Sequence, residues 1–241
     1  MRDEERVTPR SMAVQELIRL DGGRFTMGND AGRKDERPAH RVFVKPFRAA
    51  VSPVTNAEYA RFREATGYGA TPFVDEPPFA AAGQPVVGVS WHDAVAYCEW
   101  LSADVGTPVR LPTEAEREFA ALGGRKSGDW LWDGVDWHGH PLAKEIAAMD
   151  RPHEPAEGCA NGFGLRCMAE NVHEWCSDWY DPAYYAASPQ EDPRGPESGR
   201  RRASRGGAWR HQEKFTRVNA RSSLDPTFRY SDFGFRVYSH G

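Results

Sequence analysis

The chain has 241 residues with a formal net charge of −4, and its 39% hydrophobic and 27% charged content is that of a soluble globular protein. The negative balance gives no general attraction to phosphate backbones or anionic lipid, so we expect neither nucleic acid nor a membrane surface as a partner. The sequence has no signal-peptide pattern, membrane-length apolar run or dense cysteine framework, so we expect a cytoplasmic location.

The N-terminal part combines a polar segment with short apolar runs. Residues 1–13 are mostly polar and charged, which predicts a flexible lead-in. Apolar residues within 15–20 and 41–44 flank a glycine-containing stretch at 22–28. This arrangement predicts a strand, a turn and a second strand.

A pattern typical of helix starts, a hydroxyl residue followed three positions later by an acid, occurs three times. The three segments are 55–58, 90–93 and 113–116. In this pattern the hydroxyl caps a backbone amide of the first turn, while the acid accepts from the amide of the hydroxyl residue. Apolar residues follow the first two segments at helical spacing, and the third runs to the glycine pair at 123–124. The sequence therefore predicts three short helices.

From residue 127 onward, glycine, proline and tryptophan are frequent, and the candidate strands are short, at 201–209, 217–221 and 233–238. Glycine and proline interrupt regular elements, so this half is expected to be rich in loops. No stretch has the composition of a linker, so we expect residues 14–241 to form a single domain.

Nine phrases follow one another along the chain, at residues 22–28, 36–44, 53–62, 85–101, 110–120, 161–165, 170–179, 205–209 and 232–237. They include Arg-Leu-Pro-Thr-Glu-Ala-Glu from residue 110 and Arg-Gly-Gly-Ala-Trp from residue 205. In this order they resemble the formylglycine-generating-enzyme superfamily, which also includes the C-terminal domains of ergothioneine-pathway sulfoxide synthases and a pyoverdine-maturation oxidase. The resemblance implies an α+β fold that is irregular and loop-rich, like a C-type lectin, with few short helices and short antiparallel strands.

The resemblance also identifies a missing cysteine pair. In the copper-dependent members two cysteines follow a Gly-Gly-Ser phrase, and here the matching positions are His211 and Thr216, with Ala208 in place of the serine. Copper(I) favours cysteine or methionine sulfur. We therefore expect neither the family's copper dithiolate site nor its sulfatase-activating reaction.

A pair of histidines offers a different metal site. His173 stands where the family keeps a tryptophan beside its oxygen pocket, so the resemblance implies that His173 and His211 face one pocket. Their imidazoles could bind Fe(II), Cu or Zn, with Glu174, Glu213 or Asp232 as carboxylate partners. The alternative is a packed ring at His173 and a loop-bridging or substrate-binding role for His211.

The resemblance further implies a structural calcium site. Glu174 remains from the family's ligand pattern, as do the expected carbonyls of Glu170 and Val172, but Cys167 occupies the first side-chain position. A thiol is a poor ligand for a cation that prefers oxygen, so calcium binding is weakened here. Cys167 could also form a small loop disulfide with Cys159, although a cytosolic location favours thiols.

Arginines and tryptophans of the C-terminal third are candidates for substrate binding. Arg210 and Arg221 could hold a carboxylate or peptide carbonyls through forked hydrogen bonds, and Arg210 joins the two histidines as a catalytic candidate. Trp175 and Trp209 would position the substrate. We expect Arg236, in contrast, to line the core, paired with Asp178 or Asp232.

These observations predict an oxygen- and metal-dependent oxidoreductase that acts on a peptide or a small thiol- or amine-bearing metabolite. Its metal would be Fe or Cu, and it would differ from a standard copper formylglycine-generating enzyme. Two alternatives remain open, a non-catalytic module that binds a ligand or a protein, and an accessory or maturation subunit of a partner enzyme.

Overall fold

The computed structural model describes residues 15–124, 150–157, 160–210 and 215–241. Within these ranges the chain forms ten short strands and three α-helices, joined by long loops. The predicted lead-in at 1–13 lies outside the described residues. The expectation of a single domain over 14–241 stays a prediction.

The first sheet joins the two ends of the described chain. It has the order β1–β4–β10–β5, with antiparallel neighbours throughout. Its strands are β1 (Leu17–Leu20), β4 (Phe47–Ala50), β5 (Val109–Arg110) and β10 (Tyr238–His240). The Phe47 and Tyr238 rings stack across β4 and β10 with their centroids 5.6 Å apart, so aromatic packing reinforces a sheet of very short strands.

A separate hairpin corrects the predicted strand and turn boundaries. The stretch predicted as a turn at 22–28 contains β2 (Gly23–Met27), which pairs with β3 (His40–Val44). Only residues 21 and 22 separate β1 from β2, and Gly22 has a φ of +68° and an added Cβ that would lie 2.3 Å from the Val44 carbonyl oxygen. Glycine meets both demands, so the chain passes from one strand to the next within two residues.

The second sheet has the order β8–β7–β6–β9. Its strands are β6 (His173–Trp179), β7 (Arg202–Arg205), β8 (Arg221–Leu224) and β9 (Phe233–Gly234). β6 and β9 run parallel, whereas the other neighbours are antiparallel. The predicted strand at 217–221 begins later than expected, because residues 217–220 form a turn closed by a 2.9 Å bond from the Ala220 amide to the Arg217 carbonyl.

The three predicted helices are confirmed as α1 (Asn56–Thr66), α2 (Trp91–Val105) and α3 (Glu114–Leu122). Each begins with a complete capping box. Each also ends at a glycine in the left-handed conformation, with φ between 60° and 71°. Both helix ends are therefore determined by local sequence.

Buried ion pairs connect α3 to the second sheet. The Glu114 carboxylate at the start of α3 accepts from Arg221 Nε and Nη2, both at 2.8 Å, and from Arg205 Nε at 2.9 Å. Burial alone would raise the pKa of Glu114, but the charges of Arg221 and Arg205 outweigh it and hold this pKa below its ordinary value. Glu114 is thus an ionised core group.

Asp178 lies beside this ion pair without an arginine of its own in the described contacts. Its Oδ2 accepts from the Glu114 amide at 2.9 Å and from the Ser177 hydroxyl at 3.1 Å. Burial, followed by the negative charge of Glu114, raises the pKa of Asp178 from 3.8 to about 7. The folded protein therefore binds a proton here that the unfolded chain releases at lower pH.

The variant Asp178→Asn tests this account. In the parent, this group lowers the free energy of unfolding as pH rises from about 4 to about 7, because the folded carboxyl must then ionise in the interior. In the variant, the side-chain oxygen of the asparagine can still accept the hydrogen bond from the Glu114 backbone amide. The side-chain amide does not ionise in this pH range. We expect the variant to gain about 1–3 kcal/mol relative to the parent between pH 4 and pH 8, measured by urea unfolding followed through tryptophan fluorescence.

The control is Asp21→Asn, because the Asp21 side chain is 90% exposed. Its pH profile should run parallel to that of the parent. Parallel profiles for Asp178→Asn and the parent would contradict the assignment.

Candidate functional site

His173 opens β6 and faces a cavity of about 190 Å³. The residue is 4% exposed, its amide donates to the Asp232 carbonyl at 2.8 Å, and its ring lies 4.9 Å from that of Phe233. The pairing of β6 with β9 sets this position, since it places His173 opposite Phe233. A buried imidazole thus lies at the wall of a partly open cavity.

Other elements complete this cavity, which we call the His173 cavity. Its lining consists of Arg33, His173, Gly206, Phe215, Ala220, Arg221 and Ser222. The Arg33 side chain is half exposed and is oriented by bonds of 3.3 Å to the Arg221 carbonyl and to Asp35 Oδ2. The site therefore combines a cation, an imidazole and the half-exposed ring of Phe215. No sulfur ligand is present in this lining as far as the chain is described.

The second predicted histidine, His211, falls in residues 211–214, outside the described part of the chain, as does Glu213. Whether His173 and His211 meet is therefore still a prediction.

Thr216, at the other vacated cysteine position, is 3% exposed. Cys98 and Cys176 are buried in α2 and β6, where burial raises the pKa of both thiols. The described residues do not fit the family's copper dithiolate.

Glu174 lies on the opposite face of β6 from His173, because successive side chains of a strand alternate. Its carboxylate accepts from Arg117 Nε at 2.7 Å and from Arg236 Nη2 at 2.8 Å. Burial would raise the pKa of Glu174, but the two guanidinium groups hold it below its ordinary value. The structure assigns this carboxylate to a core ion pair, so we do not retain Glu174 as a candidate metal ligand.

The core position predicted for Arg236 is confirmed, but its predicted partners are wrong. Arg236 is fully buried and pairs with Glu174 in place of Asp178 or Asp232. Asp232 instead binds Arg210 through two contacts of 2.9 Å, Nε to Oδ2 and Nη2 to Oδ1. Sequence spacing could not identify the partner, because Arg236 passes over Asp232, four residues away, and pairs with Glu174, 62 residues away.

Two of the predicted substrate contacts lie inside the protein. Trp175 is 0% exposed, and its indole N–H donates to the Val89 carbonyl at 2.9 Å. The Arg221 guanidinium is held by Glu114 and by the Asp35 carbonyl, at 2.7 Å from Nη1. Both side chains are engaged within the core, although Arg221 also borders the His173 cavity.

The other two predicted contacts lie nearer the surface. Trp209 is half-buried, packs 5.9 Å from Phe79 and donates to the Ser231 carbonyl at 3.1 Å. The Arg210 side chain is 46% exposed and is ion-paired with Asp232. Neither belongs to the described lining of the His173 cavity. Arg33, which no sequence motif indicated, borders it together with Arg221.

The structure also brings together His153, Cys167 and Glu170, which the sequence analysis did not recognise as a group. All three are buried, and one potential ligand atom from each lies within 4.8 Å of the others. Among the described residues, this is the one group of at least three histidine, cysteine or acidic side chains so arranged. The spacing carries no recognisable motif, because His153 comes from a separate segment.

The groups that the resemblance implies as calcium ligands make other contacts in the structure. The Glu170 carbonyl accepts from the Val172 amide at 3.1 Å, and Glu174 is paired with two arginines. Cys167, at the first side-chain position, is a thiol. Cys159, the other half of the alternative disulfide, lies outside the described residues.

A family model for the sulfatase-modifying factor enzyme 1-like domain matches residues 3–240. The chain belongs to the formylglycine-generating-enzyme family. The formylglycine-generating enzyme of Streptomyces coelicolor is 34% identical over 95% of this chain and 90% of that protein. This confirms the family expected from the ordered phrases.

Solved structures agree with the family fold. PvdO from Pseudomonas aeruginosa has a TM-score of 0.80 and 27% identity, covering 94% of this chain and 95% of that one. The expectation of an α+β, loop-rich fold with few helices and short strands is confirmed. No helix in the described ranges is long and apolar enough to cross a membrane.

Other family relatives show that membership does not decide activity. The inactive C-alpha-formylglycine-generating enzyme 2 of Mus musculus is 33% identical over 69% of this chain and 70% of that protein. Serine/threonine-protein kinase pkn1 of Chlamydia caviae is 32% identical over 97% of this chain, which spans only 39% of the kinase. Activity in this family therefore depends on the residues of the site and not on the fold alone.

The core role of Glu174 is tested by Glu174→Gln. This change leaves Arg117 and Arg236 buried without their shared counter-charge, so we expect the free energy of unfolding to fall by about 3–5 kcal/mol. Urea unfolding at neutral pH measures the change. In the control Glu191→Gln, an acid 61% exposed and paired with Arg24, the loss should stay within about 1 kcal/mol. A Glu174→Gln protein of parental stability would contradict the core assignment.

Proposed function

We propose that this family member is an oxygen- and metal-dependent oxidoreductase whose substrate binds in the His173 cavity. The observation that carries the proposal is the buried imidazole of His173 at the wall of a cavity that also presents a cation and an apolar ring. Because the imidazole itself is buried, its polar contact with a bound substrate would lie away from bulk water and would be stronger there. The substrate class is a peptide or a small thiol- or amine-bearing metabolite.

The size of the cavity supports that substrate class. A volume of about 190 Å³ is below the roughly 300–1,000 Å³ of pockets that enclose drug-sized ligands. It suits one amino-acid side chain or a small metabolite. Arg33 would meet a carboxylate or a carbonyl of that substrate, while Phe215 would cover its apolar part.

Among the described residues, His173 would hold a redox metal. The second ligand would be His211, which lies in residues 211–214, outside the described part of the chain. Fe or Cu at this position would supply redox chemistry toward dioxygen. The role of the protein would be to orient the substrate beside His173. Support comes from the similarity to the Streptomyces coelicolor enzyme, whose name states a catalytic activity.

A non-catalytic binding module, or an accessory subunit of a partner enzyme, is the second candidate. Two observations favour it, the loss of the family's cysteine pair at His211 and Thr216 and the 33% identity to a mouse relative named as inactive. Such a protein would keep the cavity as a recognition site. Metal content separates the two candidates.

His173→Ala is the decisive variant for the redox metal. We expect the protein as purified to hold Fe or Cu at about one equivalent and to consume oxygen with cysteine-containing peptides or small thiols and amines. His173→Ala should lose both properties because the metal loses a ligand. Mass spectrometry of the metals and an oxygen electrode provide the measurements.

His92→Ala, which removes an exposed histidine, is the matched control and should keep metal and activity. Thermal unfolding of both variants shows whether the loss is local. A parent without Fe or Cu that takes up no oxygen would exclude the oxidoreductase and favour the binding module.

Arg33 is tested with a matched pair of probes, N-acetylcysteine and its uncharged amide. We expect the parent to bind the acid about tenfold more tightly, because a charge-assisted hydrogen bond to Arg33 favours the carboxylate. Arg33→Gln should remove this preference, whereas Arg19→Gln, at a side chain 55% exposed, should keep it. Isothermal titration calorimetry measures the affinities. Equal affinity of the parent for both probes would contradict this role.

A further inference from the structure

His153, Cys167 and Glu170 form a buried cluster behind the start of β6. The three residues are 3%, 0% and 3% exposed. The His153 Nε2 atom lies 3.2 Å from Glu170 Oε1, and the cysteine sulfur completes a group whose nearest potential ligand atoms all lie within 4.8 Å of one another. Nitrogen, sulfur and oxygen donors thus converge on one interior point.

The protonation of His153 makes this arrangement informative. Its Nδ1 lies 3.0 Å from the carbonyl oxygen of Glu154, which can only accept a hydrogen bond. Nδ1 therefore carries the proton, and in a neutral ring Nε2 presents a lone pair. A lone pair facing a carboxylate at 3.2 Å requires a cation between or beside the two atoms. Either an added proton or a metal ion would meet that requirement.

Glu170 favours the metal ion. Its second oxygen, Oε2, is buried and has no hydrogen-bond partner in the described part of the chain. A buried carboxylate oxygen without a partner is costly. A proton on His153 would satisfy Oε1 alone and would leave Oε2 without a partner in the described part of the chain. A metal ion could bind one or both carboxylate oxygens and the sulfur at once.

The surrounding loop holds these donors in place. The Asn171 side-chain amide donates to the His153 carbonyl at 3.0 Å and to Cys167 Sγ at 3.4 Å, while its Oδ1 accepts from the His153 amide at 3.2 Å. Cys167 and Asn171 both adopt the left-handed conformation, with φ of 56° and 79°. Non-glycine residues rarely adopt it, and such strain persists where the surroundings impose it.

We propose that His153, Cys167 and Glu170 form a binding site for a divalent metal of the zinc class. Zn²⁺ binds imidazole nitrogen, thiolate sulfur and carboxylate oxygen together, with four donors in a tetrahedral arrangement. The second oxygen of Glu170 or a water molecule would supply the fourth donor. The thiolate and the carboxylate balance the charge of the ion. A thiolate ligand disfavours calcium.

This site tethers the segment at 150–157 to the loop that ends at His173. Glu154 and Asn171 act around the ligands as orienting groups, since outer hydrogen bonds fix the tautomer of a histidine ligand. A redox-inert ion here would keep the loop in its left-handed turns. The proposal is independent of the oxidoreductase function, because neither Fe, Cu nor substrate enters it.

Cobalt(II) is the probe that tests the site. The full chain, reduced and freed of metal by a chelator, should bind about one equivalent of Co²⁺ with a near-ultraviolet absorption band from thiolate-to-cobalt charge transfer. Zn²⁺ should displace the cobalt and abolish the band. Cys167→Ser should lack the band, and His153→Gln and Glu170→Gln should weaken zinc binding at least about tenfold.

Cys98→Ala is the matched control, because it removes a buried thiol of α2 and should leave the cobalt band unchanged. If a variant at His153, Cys167 or Glu170 fails to fold, the cobalt spectra of the parent and of Cys98→Ala still test the proposal. The proposal is overturned if the reduced parent shows no charge-transfer band, or if the band survives in Cys167→Ser. A Cys159–Cys167 disulfide that persists under reductant, detected by mass spectrometry, would overturn it as well.

Discussion

The structure depends on arginines that share buried carboxylates. Glu174 receives Arg117 and Arg236 in a region from which water is excluded. Removing such ions from water is costly, and only close pairing with further hydrogen bonds offsets the cost. Arg236 meets this condition, because it also donates to the carbonyls of Ala50, Val51 and Arg166 at 2.6–2.9 Å.

These contacts explain how a chain with such short strands keeps a defined interior. Backbone groups in loops do not form the regular hydrogen-bond ladder of a sheet, so some buried carbonyls need side-chain donors. The Arg236 guanidinium supplies them to β4 and to the loop before β6, while Arg117 supplies one to Met168 at 2.7 Å. The ion pair thus connects both sheets with the loop that carries the metal-site candidates.

The same arrangement separates scaffold from site. Strand alternation directs Glu174 into the ion pair and His173 toward the cavity, so adjacent residues serve different purposes. Cys167 and Glu170 precede them on a loop that Arg236 contacts at the Cys167 carbonyl and His153 contacts at the Glu170 carboxylate. Relatives with and without catalytic names share this family, so the chemistry depends on side chains that the scaffold presents.

The sequence by itself determined the helices and the family. Capping boxes and terminal glycines act over three or four residues, so α1, α2 and α3 were readable without tertiary information. Only the tertiary structure decided that Arg236 pairs with Glu174 and that His153 reaches Cys167. The physical reason is that these contacts depend on how distant segments pack, and no local pattern of residues encodes which buried acid or thiol a distant side chain meets.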